Sequence, residues 1–87
     1  MRIEIRRQGG YAGVRPPPLV IDTGELAPDA AHELERAATV LPASTPPGRG
    51  ADLMRYDILI DGRAFTYHEP DVPPEVRRLL RLARDQP

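Results

Sequence analysis

Apolar and polar residues alternate most cleanly in two runs that meet at Asp61-Gly62: Tyr56 and Ile58 alternate with Arg55 and Asp57 on one side, Phe65 and Tyr67 with Thr66 and His68 on the other. Asp-Gly accepts the positive φ angles of a two-residue type I′ turn, so the pattern predicts a β-hairpin. With those two residues as the loop, Ile58 faces Phe65 and Tyr56 faces Tyr67 on an apolar side, while Asp57 faces Thr66 and Arg55 faces His68 on a polar side. A lone hairpin is marginal in water. Its apolar side therefore needs a cover, which the remaining chain must supply.

Met1, Ile3 and Ile5 alternate with Arg2, Glu4 and Arg6, which predicts a half-buried strand running to about Gln8 and ended by Gly9 and Gly10. Residues 9–18 have no period and pass from permissive glycines to the stiff Pro16-Pro17-Pro18 run, the composition of an exposed loop. A short strand over Leu19 to Asp22 follows and is expected to pair with the first. Pro28, with Asp29 and Glu33 soon after it, marks a helix start. Ala30, Ala31, Leu34, Ala37, Ala38 and Leu41 then recur at helical spacing, a narrow stripe that can lie close on a sheet, and Pro42 stops it. Residues 42–51 read as a second polar loop. After the hairpin, Pro73-Pro74 opens another helix with Val76, Leu79, Leu80 and Ala83 inward, Leu82 at the margin, and Arg77, Arg81 and Arg84 outward. The expected fold class is α+β: a four-stranded, mainly antiparallel sheet in the order β-β-α-β-β-α, with both helices packed on one face.

Length and composition narrow the function more than they define it. A chain of 87 residues is expected to form a single domain, 1–87, with an aliphatic core. Twelve basic residues, all Arg, against thirteen acidic ones leave a net charge of −1, so general attraction to nucleic acid or an anionic membrane is not expected. The absence of Cys excludes disulfides, thiolate zinc sites and a thiol nucleophile. No apolar run has the length of a signal peptide or a membrane span, so the expected compartment is cytoplasmic.

The candidate chemical motifs mostly fail on inspection. His32-Glu33 begins like the zinc-peptidase pattern His-Glu-x-x-His, but Arg36 stands where the second histidine would be, and a guanidinium does not ligate zinc. His68 stands alone on a polar strand face. Gly9-Gly10-x-x-Gly13 lacks dinucleotide spacing and precedes prolines instead of a helix. That segment is either a permissive turn or a partner-facing loop with Tyr11 at its tip. Arg77, Arg78, Arg81 and Arg84 form either a solvated helix face, which the neutral overall charge and the interleaved Glu75 and Asp85 favour, or a grip for an acidic partner or RNA. The acids sit mainly at turns and helix starts, not converging in a cleft as hydrolysis requires. No catalytic residue, metal ligand or cofactor is expected.

Taken together, these segments resemble the emfourin family of small protein inhibitors of thermolysin-like metallopeptidases such as protealysin. The resemblance is carried by Arg7-x-Gly9-Gly10-Tyr11-Ala12-Gly13, Asp22-Thr23-x-x-Leu26-x-Pro28 and Ala31-x-Glu33-Leu34-Glu35-Arg36. Gly50-Ala51-Asp52-x-x-x-Tyr56-x-Ile58, Asp71-x-Pro73-Pro74 and Arg78-x-Leu80 complete it. The Pro16-Pro17-Pro18 run and the loop over 42–49 match no family pattern. The resemblance implies inhibition by occlusion of the substrate cleft of a zinc peptidase, without a cofactor; from the placement of its acids the chain is expected not to be an enzyme, and it is expected to be a monomer when free. The protease-contacting residues expected on this basis are Gly9, Gly10, Tyr11, Ala12, Gly13 and Val14. The rival expectation is a binding adaptor that presents Arg77, Arg81 and Arg84 to an acidic protein.

Overall fold

The hairpin forms in the expected register. In a computed structural model that describes residues 1–9, 16–46, 54–69 and 71–86, β3 (Arg55–Ile60) and β4 (Arg63–His68) pair antiparallel with Ile58 opposite Phe65 and Tyr56 opposite Tyr67. Asp61 and Gly62 have φ of +47° and +89°, the conformation that a two-residue hairpin turn demands. Asp61 also ties the turn to its neighbour, because its carboxylate accepts from the Arg2 amide at 2.7 Å and its amide donates to the Arg2 carbonyl at 3.0 Å.

β1 (Arg2–Gln8) lies at the centre, antiparallel both to β3 and to β2 (Leu19–Asp22), and the sheet order is β2-β1-β3-β4. Ile3 sits between Ile21 and Ile60, and Ile5 between Leu19 and Ile58. One side of the sheet is thus a continuous aliphatic surface, as the period-two pattern requires. Two helices cover it, α1 (Pro28–Thr39) and α2 (Pro74–Arg84), and each has proline in its first turn, where the missing amide hydrogen costs nothing. Leu34, Ala37 and Ala38 of α1 and Val76, Leu79, Leu80 and Ala83 of α2 join Ile3, Ile5, Ile21, Ile58, Ile60 and Tyr67 in one buried cluster. The α+β class and element order are those expected.

Three local differences have physical causes. α1 ends at Thr39, so Leu41 packs on the core from beyond the helix and not as its last stripe position. Thr23 is 1% exposed. It lies in a 3₁₀ turn, Thr23–Glu25, that Asp22 caps through its carboxylate. Its hydroxyl donates to Glu35 at 2.6 Å and its amide to the Met1 carbonyl at 2.9 Å, which satisfies its buried polar groups. Val72, in a stretch that reads as a proline-rich break, is also part of the core.

Residues 42–46 do not behave as a free loop. They run beside β4 and take up polar groups of its outer edge. The Thr45 amide donates to the Thr66 carbonyl at 2.9 Å, the Thr66 amide to the Ser44 hydroxyl at 2.9 Å, and the His68 amide to the Thr45 hydroxyl at 2.7 Å. An open strand edge is a template for unwanted pairing, and this strap blunts it.

Candidate functional site

The strand register brings several connections to one end of the sheet. Gln8 is opposite Arg55, Arg55 is opposite His68, and Leu19 is opposite Ile5 near the same end. The chain therefore leaves β1 there toward residue 9 and returns through 16–18 to β2. It also enters β3 there from residue 54 and leaves β4 there at residue 69. At Gly9 the backbone has φ of +88°, a left-handed exit that a side chain would resist. Of the expected contact residues, Gly9 is exposed at this end, while Gly10, Tyr11, Ala12, Gly13 and Val14 lie outside the described residues.

A polar network on the helix-free face holds this end together. Arg55 Nη2 donates to Gln8 Oε1 at 2.6 Å, and Gln8 Nε2 donates to Asp57 Oδ2 at 3.0 Å. Thr66 Oγ1 donates to Asp57 Oδ1 at 3.0 Å. Arg55 Nε lies 3.3 Å from Asp57 Oδ2 as an ion pair, but its N–H is aimed off the hydrogen-bond line and is left buried without an acceptor. The network joins β1, β3 and β4 across the sheet, so the two strands that flank residues 9 and 54 are fixed relative to each other. His68, which reads from sequence as a lone surface histidine, is half-buried, and its Nδ1 lies 3.3 Å from the Thr45 carbonyl oxygen. Its role here is to hold the strap.

Tyr67 anchors the other end of the strap. It is fully buried, and its hydroxyl donates to the Pro42 carbonyl at 2.6 Å. Burial, and then the Glu75 carboxylate, raise its pKa above the ordinary 10.0, so the hydroxyl stays a donor throughout the neutral range.

The arginines of α2 divide between two surfaces. Arg78 lies in a groove between the helices with Asp29, His32, Glu33, Arg36 and Glu75, where charges of both signs meet. Arg77, Arg81 and Arg84 instead border a groove that Tyr56, Glu69, Val72 and Leu80 complete. His32 and Glu33 thus share a mixed-charge surface, and among the described residues no group of three or more His, Cys, Asp or Glu side chains could hold a metal ion. In the geometry of the described residues two hydroxyl–carboxylate pairs, Thr23 with Glu35 at 2.6 Å and Thr66 with Asp57 at 3.0 Å, tie separate elements of the fold together. Its most constructed feature is a rigid strand end that presents connecting segments.

A family model described as Emfourin matches residues 5–84 of the 87-residue chain. The chain belongs to the emfourin family. That match spans β1 from Ile5 onward, the other three strands, both helices and each of the sequence pieces from Arg7 to Leu80. No curated protein and no solved structure matches the chain. Membership in the emfourin family, a family of inhibitors, implies a metallopeptidase inhibitor role with a peptidase as protein partner.

Proposed function

We propose that this emfourin inhibits a thermolysin-like, protealysin-like zinc metallopeptidase by lodging the segment of Gly9, Gly10, Tyr11, Ala12, Gly13 and Val14 in the substrate cleft. The observation that supports this reading is the strand register, which sends the chain out at residue 9 from the end of the sheet that the Gln8–Arg55–Asp57 network fixes. A segment mounted on a rigid sheet loses less conformational freedom on binding than a free peptide, and that saving goes into affinity. An interface of the usual protease–inhibitor size, about 800 Å² on each partner, would take in this segment and its surroundings. Tyr11 supplies a large amphipathic anchor of the kind that dominates such contacts.

Resistance to cleavage follows from geometry. Peptide hydrolysis needs the scissile carbonyl aligned with the metal-bound water, and a small displacement from that alignment costs a large factor in rate. In this reading the segment is anchored at Gly9 after β1 and at the stiff Pro16-Pro17-Pro18 run before β2, and these anchors hold its ends so that it does not settle onto the reactive geometry. The inhibitor contributes no metal ligand and no cofactor in this account.

The experiment is inhibition of protealysin by the purified chain and by Tyr11→Ala. Loss of the ring is expected to weaken inhibition by at least about tenfold, near 1.4 kcal/mol, with an unchanged melting temperature. Unchanged inhibition would remove this segment from the mechanism, and no inhibition by the parent chain would remove the target class.

A further inference from the structure

The groove beside α2 extends further than the helix alone indicates. The groove with Tyr56, Glu69, Arg77 and Arg81 has a volume of about 340 Å³. A second, more apolar one of about 200 Å³ is lined by Ile5, Arg7, Pro16, Pro17, Leu19, Leu80 and Arg84. Leu80 and Arg84 line both, so the two form one continuous surface running to the segment that returns from residue 15. Arg7 belongs to it because it falls on the helix-bearing side of β1, in register with Tyr56, and remains exposed there.

Charge on this surface is unbalanced. Among the described residues, Arg7, Arg77, Arg81 and Arg84 line it against one carboxylate, that of Glu69, whose Oε1 lies 3.5 Å from the Tyr56 hydroxyl. Among the described residues the ion pairs are those of Arg2 and Arg6 with Glu4 and of Arg55 with Asp57, and none involves these four arginines. Arg77 Nε donates to the Val72 carbonyl at 3.2 Å, which fixes that side chain over the groove without neutralising it. In a protein of net charge −1, four guanidinium groups without ion-pair partners among the described residues surround the apolar side chains of Ile5, Val72 and Leu80 and form a locally cationic patch.

We propose that this groove takes an acidic, carboxylate-bearing segment on the rim of the same peptidase, and thereby sets the rate and orientation of docking. The inference rests on the inhibitor reading above. Guanidinium groups recognise carboxylates through paired N–H donors, and charges at an interface rim act mainly on the association rate. The groove adjoins the prolines that close residues 9–18, so a partner engaged by that segment lies within reach of it.

The test measures association and dissociation rates with protealysin for the parent chain, Arg77→Glu/Arg81→Glu/Arg84→Glu, the matching triple Gln variant, and Arg78→Glu. The Gln triple avoids placing acids at the carboxy-terminal end of a helix, where they oppose its dipole. At about 0.02 M salt the Glu triple is expected to associate at least about tenfold more slowly and the Gln triple by an intermediate factor; near 0.5 M the three rates should converge. Arg81→Glu alone should slow association more than Arg78→Glu, which makes the same change of charge in the other groove. Equal rates for parent and Glu triple at low salt, or equal effects of Arg78→Glu and Arg81→Glu, overturn the proposal. If those outcomes accompany intact inhibition by the parent chain, the cleft-blocking function stands; if the parent chain does not bind, both fall.

Discussion

The substitution Tyr67→Phe removes one oxygen from the core and detaches the strap at its first anchor. The lost bond is short, 2.6 Å to the Pro42 carbonyl, but neutral, and Pro42 is only half-buried, so water can take over the carbonyl. A neutral bond of this kind contributes about 1 kcal/mol net. For a chain of this size that corresponds to a fall in Tm of roughly 4–8 °C. The pH dependence makes the test specific. Tyr67 has a folded pKa raised above 10.0, so the unfolded chain loses this proton first as pH rises. The stability it contributes is complete below pH 10 and is lost as pH climbs through the folded pKa, at a slope of at most about 1.4 kcal/mol per pH unit. The phenylalanine variant has no such proton. Thermal melts of both proteins from pH 7 to pH 11 should therefore show the parent chain ahead at neutral pH and its lead shrinking only above pH 10. At pH 7 the amides of Thr66 and His68, bonded to Ser44 and Thr45, should exchange faster in the variant. A gap that is constant across the whole range, or no gap at pH 7, would refute the reasoning.

Two further outcomes follow from the core and the network. Ile58, fully buried between Ile5 and Phe65, should cost about 2–5 kcal/mol when changed to Ala, a large part of the stability of so small a chain, measurable as a lower denaturant midpoint with little change in slope. Asp57→Ala leaves Gln8 and Thr66 without their shared acceptor and Arg55 without its ion-pair partner. It should cost about 1–3 kcal/mol and weaken inhibition, whereas Asp57→Asn, which keeps one acceptor oxygen, should cost less on both counts by urea unfolding and peptidase assay.

Much of the fold was legible because its signals are local. The Asp61-Gly62 turn sets the β3–β4 register with no outside help, the alternation around Ile3 and Ile58 assigns their buried side, and prolines 28 and 74 mark the helix starts. What the pattern missed depends on contacts distant in sequence. Thr23 is buried because Glu35 and Met1 satisfy its polar groups, and residues 42–46 are ordered against β4 by backbone and hydroxyl groups that carry no hydrophobic period. Arg7 was hidden for a related reason. Alternation assigns it to the inward side of β1, and only the register with Tyr56 and its place beside Leu80 and Arg84 show that it borders a charged groove.

The two edges of the sheet are treated differently, and the difference bears on how the molecule works. At β4 the chain uses residues 42–46 to satisfy Thr66 and His68 and then continues from residue 46 toward residue 54 at the strand end shared with Gln8. Among the described residues β2 has no such cover: Leu19 is 37% and Val20 46% exposed. It escapes the usual hazard of a bare edge mainly by having four residues. The strap therefore does more than protect an edge, since it also fixes where the chain arrives at the presenting end. A loosened strap and a weakened core should consequently affect inhibition in different ways. Core damage lowers the fraction folded and leaves each folded molecule competent. Release at Tyr67 or Thr45 leaves the core folded but frees residues 42–46, so the entropy of ordering them must be met on binding.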